Sequence, residues 1–519
     1  MGKKNNYTIV YIMSLKSTKL ISRIFANDFF KNLDKEKILE RKNYSSPITL
    51  ANANFKSVIT STPITQLCNK IKYIPSEGII INKPGNYILD CNIKWNGKYT
   101  GVAITIETDN VSINLNNKFI KNNYNNKHVK TVGIQSIGNN NITISNGCIY
   151  DMSYYGIQIE GCINLSISNV QVSGINLSDL ETRNITPCGI FVSESESILI
   201  YKCKVSGLNV KTDSMAGILL SKCANGIISN CKLTNFLNKD GAVQGYSLIL
   251  CENIDTNKCV SKKFKSEFNG NILTSGHTIL GFCPILCVDL LYNDCEAIDL
   301  FGACDDCHGM SIFLNDSVKV NNFYACNIYD GISQSNSGAK ATGLEVYGIN
   351  VSVTNSFVEN IIAINPQDKQ STGFSAAGQY ITFNNCKSKN IKVVNSKNKY
   401  NKRLGYGCGF GWAPDPRPEF RIINAVNILY LNCESIKCQV GFDTFNHIDS
   451  IWNDVKCIDC CKCILYKNNS SRTISCNPCS ECNPSIVITL INLASGNQFI
   501  SNKNKYCCNS TSIKDHYYL

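Results

Sequence analysis

One short pattern recurs through most of this 519-residue chain and limits its fold more than any other feature. A polar residue is followed by two or three alternating β-formers and then by Asn. It reads Asn141-Ile142-Thr143-Ile144-Ser145-Asn146, then Asn164-Leu165-Ser166-Ile167-Ser168-Asn169. It returns as Asn225-Gly226-Ile227-Ile228-Ser229-Asn230, Asn350-Val351-Ser352-Val353-Thr354-Asn355 and Asn427-Ile428-Leu429-Tyr430-Leu431-Asn432. Looser copies begin at Asn110, Ser197, Ser317 and Tyr380, so successive starts lie 31, 23, 33, 28, 92, 33, 30 and 47 residues apart. The interval of 92 holds three turns, with a degenerate copy near Asn253.

Two further signals accompany each copy. A strand opening on Gly precedes most of them, as at Gly133-Ile134, Gly156-Ile157, Gly189-Ile190, Gly217-Ile218, Gly309-Met310, Gly343-Leu344, Gly373-Phe374 and Gly409-Phe410. A third strand, marked by Cys and β-branched residues, follows many, as at Cys148-Ile149, Cys203-Lys204-Val205, Cys231-Lys232-Leu233 and Cys433. Three strands per period, each too short to bury a face alone, must stack on their neighbours. Alternation then sends every second side chain into rows shared by successive coils. Asn at strand ends suits sharp bends, because it tolerates the left-handed backbone region. Stacked Asn can ladder, and inward Cys packs as a small hydrophobe.

The expected fold is therefore all-β: a right-handed parallel β-helix of roughly a dozen three-strand coils, about 60 Å long at roughly 4.8 Å per coil. A leucine-rich repeat needs a tighter period of about 20–29 residues and an L-x-x-L-x-L frame. An antiparallel sandwich needs hairpin turns, of which few are present. The expected division is a basic, partly helical leader over 1–46, the β-helix with its N-terminal cap over 47–455, and a Cys-rich cap or tail over 456–519.

The stretch Lys83-Pro84-Gly85-Asn86-Tyr87-Ile88-Leu89, then Ile104-Thr105-Ile106, Asp109-Asn110-Val111-Ser112-Ile113-Asn114-Leu115-Asn116 and Phe119-Ile120, resembles the opening coils of pectin-lyase-like β-helix proteins. The resemblance covers roughly 78–455. It implies the fold and leaves function open, since that superfamily holds lyases, hydrolases, adhesins, tailspikes and inert rods. The Asn/Lys/Ile/Cys-rich texture is also similar to that of β-helix proteins of amoeba-infecting giant DNA viruses.

The net charge of +12 does not imply nucleic acid as a partner. Ten Lys/Arg against four Asp/Glu in the first 46 residues put half of the excess into the leader. No run of 18 apolar residues occurs, so no helix is expected to span a membrane. Tyr7 to Leu15 is apolar, but it contains Ser14 and runs into Lys16, Lys19 and Arg23, unlike a secretory signal. With 29 Cys and no export signal, mostly free or metal-bound thiols are expected, in a virion or intracellular setting rather than classical secretion.

Three constellations bear on chemistry. Cys304-Asp305-Asp306-Cys307-His308-Gly309 resembles part of the polygalacturonase site, where paired acids beside a His activate water and protonate the leaving oxygen. Asp305, Asp306 and His308 are the catalytic candidates, and Asn253-Ile254-Asp255 could supply a further acid. The departures are Cys in place of Gly before His308 and a missing basic R-x-K; a solvated turn is the alternative. Gly405 to Arg421 carries three Pro and cannot be an interior strand throughout, so it is expected to loop out, with Trp412, Arg417 and Arg421 as candidates to bind a sugar or an acidic group and a purely structural coil-spanning loop as the alternative. Cys460, Cys463, Cys476 and Cys479 form two paired-thiol knuckles spaced for zinc, with disulfides or simple burial as alternatives and capping of the solenoid as the expected role.

The favoured function is a non-enzymatic scaffold displaying recognition loops, with a polysaccharide or glycan as partner. No cofactor is required; a zinc ion at the Cys knuckles and a homotrimer are both left open. The rival is a carbohydrate-active enzyme, a polysaccharide lyase or glycoside hydrolase, using Asp305, Asp306 and His308.

Overall fold

A computed structural model of the chain describes residues 68–97, 101–124, 130–177, 186–267, 278–303, 306–331, 340–364, 371–394, 406–412, 425–444, 447–465, 473–474 and 498–500. The described residues contain no helix and are a parallel β-helix, with every strand pairing parallel except Lys462–Leu465 against Thr473–Ile474. The basic leader and most of the Cys-rich tail lie outside them. Lys456–Ile458 and Lys462–Leu465 still stack in parallel on Glu434–Ile436 and Val440–Asp443, so coiling continues beyond the expected boundary at 455.

Each coil contributes to three faces. The Asn-led pattern makes one: Leu165 to Ser168 pair with Ile142 to Ser145 on one side and with Ile198 to Tyr201 on the other. Its opening corner recurs at Asn110, Asn141, Asn164, Ser197, Asn225, Asn253, Asp289, Ser317, Asn350, Tyr380, Asn427 and Asp449, all with positive φ. The three turns between Asn225 and Ser317 are thus present. Asn is favoured there for its backbone tolerance and because its side chain bridges coils: Asn141 Nδ2 donates to Asn110 Oδ1 at 2.8 Å, Asn164 to Asn141 at 2.9 Å, and Asn253 to Asn225 at 2.7 Å.

The Gly-led strands form the second face, and their glycines stack. A Cβ on Gly309 would lie 2.5 Å from the carbonyl oxygen of Gly343, and one on Gly343 would lie 2.6 Å from that of Gly373. Both would also strike a side chain from across the coil, Ala325 or Val358. Glycine serves here for close approach.

The Cys-led strands form the third face. Cys203, Cys231, Cys259 and Cys295 precede register-matched strands, and Cys162, Cys223, Cys251 and Cys287 line another corner. All are buried, but their sulfurs do more than fill space. Cys203 N donates to Cys231 Sγ at 3.4 Å and Cys251 N to Cys287 Sγ at 3.3 Å, while each sulfur donates to a carbonyl two residues earlier. Elsewhere Ser takes the same post: Phe323 N donates to Ser356 Oγ at 3.1 Å. The thiol is thus a corner hydrogen-bonding group as well as a small apolar one. Inside, Ile, Val, Leu and stacked aromatics such as Phe374–Phe410–Phe442 form one continuous core.

Candidate functional site

The Gly-led face departs from half-buried alternation. From Ala242 to Ile249, Lys340 to Gly348 and Ser371 to Gly378 every residue is buried, on the outward side as well as the inward. On that outward side the strands Asp306–Asn321 and Lys340–Thr354 are in register as Asp306↔Lys340, His308↔Thr342, Ser311↔Glu345 and Phe313↔Tyr347. The next strand adds Thr372, Ser375 and Ala377.

This registry gathers a buried polar cluster that no short motif announces. Glu345 is 4% exposed; it takes an ion pair from Lys340 Nζ and a hydrogen bond from Ser311 Oγ at 3.1 Å, and it faces His308 Nδ1 at 3.3 Å. His308 and Lys340 are each 2% exposed. Asp330, fully buried, accepts the backbone N–H of Lys340 at 2.7 Å. Burial, with Asp330 beside it, pushes the Cys307 thiol up. Thr342 and Thr372 are also fully buried, and among the described residues their hydroxyls have no hydrogen-bond partner. Charges removed from water persist only when paired, and Lys340–Glu345 supplies the pairing.

The sequence candidates meet this cluster only in part. Asp305 lies outside the described residues. Asp306 is half-buried and register-matched to Lys340, while His308 turns to Glu345. Asp255 stands on the Asn-led face, paired with Ile227 and Leu291, so it joins neither of them. The candidates missed by sequence reasoning are Lys340, Glu345 and Asp330. A Glu and a Lys flanking an otherwise neutral Gly-led strand, Lys340-Ala341-Thr342-Gly343-Leu344-Glu345, were the available signal.

Trp412 is not displayed. It follows the strand Gly407–Gly411, is 3% exposed, and packs with Tyr347 and Ala377, with Phe313 alongside. These packing neighbours account for its burial, since a large apolar side chain gains more by covering them than by facing water. Arg417 and Arg421 lie outside the described residues. Nearby, Tyr406 OH hydrogen-bonds the buried Asp443 carboxylate.

Of the zinc candidates, Cys463 is joined to Cys457 in a disulfide, and Cys460 Sγ donates to Ser435 O at 3.3 Å. Cys476 and Cys479 lie outside the described residues. A zinc site through Cys463 would require that disulfide to be reduced. Among the described residues no group of three or more His, Cys, Asp or Glu is placed to hold a metal ion, and no helix is long and apolar enough to cross a membrane.

The Cys-led face presents a different outward surface. Tyr324 stacks on Phe357 (centroids 5.8 Å apart) and Phe301 on Tyr329 (5.5 Å), all four half-exposed. Around them Tyr324 OH donates to Glu359 at 2.7 Å, Lys389 pairs with Glu359 at 3.3 Å, and Asn327 donates to Asp299 at 2.9 Å. Aromatic ridges beside fixed polar groups offer an apolar body with a hydrogen-bonding tip.

No protein-family profile matches the chain, and no curated protein matches it. Among solved structures it is similar to the catalytic domain of a GH87 α-1,3-glucanase in complex with tetrasaccharides, at 10% identity and a TM-score of 0.35, over 83% of this chain and 64% of that one. It is similar to the Streptococcus pneumoniae surface adhesin PfbA at 11% identity and a TM-score of 0.28, over 74% of this chain and 86% of that one. Tailspike protein 3 of bacteriophage CBA120 matches at 10% identity and a TM-score of 0.28, over 82% and 56%. The chain thus spans just under two thirds of the glucanase domain.

Proposed function

We propose that this chain is a non-enzymatic β-helix scaffold that holds a glycan against its Cys-led face, as a surface-binding or particle-associated protein. The observation that carries the reading is the pair of half-exposed aromatic stacks, Tyr324–Phe357 and Phe301–Tyr329, set among Glu359, Lys389, Asp299 and Asn327 on four adjacent coils. A rigid sheet fixes these groups before any ligand arrives, which lowers the ordering cost of binding. Burial of His308 and Glu345 also favours a scaffold, since an acid–base pair that exposes 2–4% of its surface offers a polysaccharide chain little access.

A second reading, a carbohydrate-active enzyme, draws on the 3.3 Å approach of His308 Nδ1 to Glu345 and on Asp306 nearby. One experiment separates the two. The purified full chain is screened against acidic and neutral polysaccharides for both binding and chain scission. The scaffold reading expects binding without scission, weakened at least about tenfold, or about 1.4 kcal/mol, in F301A/Y329A. Scission that vanishes in H308A and E345Q would transfer the function to the Gly-led face, and binding indifferent to the aromatic pairs would remove the proposed surface.

A further inference from the structure

Two cysteines near the C-terminal end of the described solenoid differ from the other stacked pairs among the described residues. Ile436 pairs with Ile458 on the next coil; two residues on in each, after Lys437 and Asp459 with their positive φ, stand Cys438 and Cys460. Cys461 N donates to Cys438 O at 3.1 Å, which holds this corner in the same register. Each thiol donates to the carbonyl two residues earlier, Cys438 to Ile436 O at 3.4 Å and Cys460 to Ile458 O at 3.6 Å, so the two side chains take the same orientation on successive coils. Adjacent parallel strands lie about 4.8 Å apart, within the Cα separation of about 4.4–6.8 Å that a disulfide spans.

The other stacked thiols, such as Cys203/Cys231, Cys223/Cys251 and Cys386/Cys433, are buried on both members, which closes them to any reagent. Cys438 is buried, but Cys460 is half-exposed and reaches solvent. The exposed Cys461 stands opposite Gln439 on the preceding coil.

We propose that Cys438 and Cys460 are a redox-closed staple between neighbouring coils, oxidised by a disulfide-bearing donor such as oxidised glutathione. Cys460 Sγ attacks the donor, its proton leaving to solvent, and one donor thiol departs. Cys438 Sγ then attacks Cys460 Sγ, breaks the mixed disulfide and releases the second donor thiol. Two protein thiols become one disulfide, and one donor disulfide becomes two thiols. The new bond would close one whole coil and so restrain unfolding from that end.

The test uses the full chain, purified anaerobically with reductant, then exposed to oxidised glutathione. Free thiols are capped with N-ethylmaleimide and peptides are mapped without reduction. The expected product is a Cys438–Cys460 linked pair, lighter by two hydrogens, while Cys223 and Cys251 stay capped only after unfolding. The thermal midpoint should rise on oxidation, and the rise should vanish in C460S and in C438S. Cys460 remaining glutathionylated, Cys460 linked to any other cysteine, or one equivalent of tightly held zinc blocking the reaction would each overturn the proposal.

Discussion

Gly343→Ala puts one methyl group where two coils meet, and its cost can be worked from the surroundings. The added Cβ would lie 2.6 Å from Gly373 O and 2.8 Å from both Cβ and Cγ1 of Val358. Neither neighbour can swing away, since one is backbone and the other is β-branched in a packed row. Overpacking of this kind costs about 1–3 kcal/mol, and the upper end is expected because strand separation itself must give. Gly226→Ala is the control. Its Cβ would meet the terminal Cδ1 of Ile254 at 2.8 Å, with the next atom, Ile198 Cβ, at 3.4 Å. A flexible side-chain end can rotate, so less than about 1 kcal/mol is expected there. Urea unfolding followed by far-ultraviolet circular dichroism compares the two. Equal costs for both variants would refute the account of the glycine row.

Two further outcomes follow from the same geometry. Glu345→Gln removes the negative partner of Lys340 inside the Gly-led face, and a loss of about 3–5 kcal/mol is expected in urea unfolding; less than about 1 kcal/mol would mean that the ion pair is dispensable. Burial pushes the Cys283 thiol from 9.0 up to about 12, so it stays protonated after the unfolded chain has ionised. Its stabilisation is complete below pH 9 and falls by about 1.4 kcal/mol per pH unit from there to about pH 12. Cys283→Ala should flatten the alkaline slope of stability by that amount, and an unchanged slope would count against it.

The fold was legible because its determinants are local. Asn at Asn141, Asn164 and Asn225 announces a left-handed corner, Gly at Gly309 and Gly343 announces a close approach, and alternation assigns the rows between. Cysteine is expected to pack as a small hydrophobe, while Cys231 and Cys287 show its sulfur also accepting and donating hydrogen bonds at corners. The site was much less legible. Whether Glu345 meets His308 depends on a register spanning 34 residues between Ser311 and Glu345, and loop lengths that vary from coil to coil hide that number. Trp412 misled for a related reason: Gly and Pro around it argued for a loop, but its Tyr347 neighbour lies two coils away in sequence and is adjacent only after stacking. The stacks Phe301–Tyr329 and Tyr324–Phe357 were invisible for the same cause.

Stacking in register is therefore the claim on which the cluster, the aromatic ridge and the staple all rest. It can be measured with nitroxides carried on unnatural amino acids at the exposed Lys204 and Lys387. Register links them through Lys232, Val260, Glu296, Tyr324 and Phe357, six coil steps in all. Pulsed electron–electron double resonance should give one narrow distance near ~29 Å, before allowance for the label arms. A broad distribution, or one displaced by more than about 10 Å, would contradict parallel stacking at two strand spacings' tolerance.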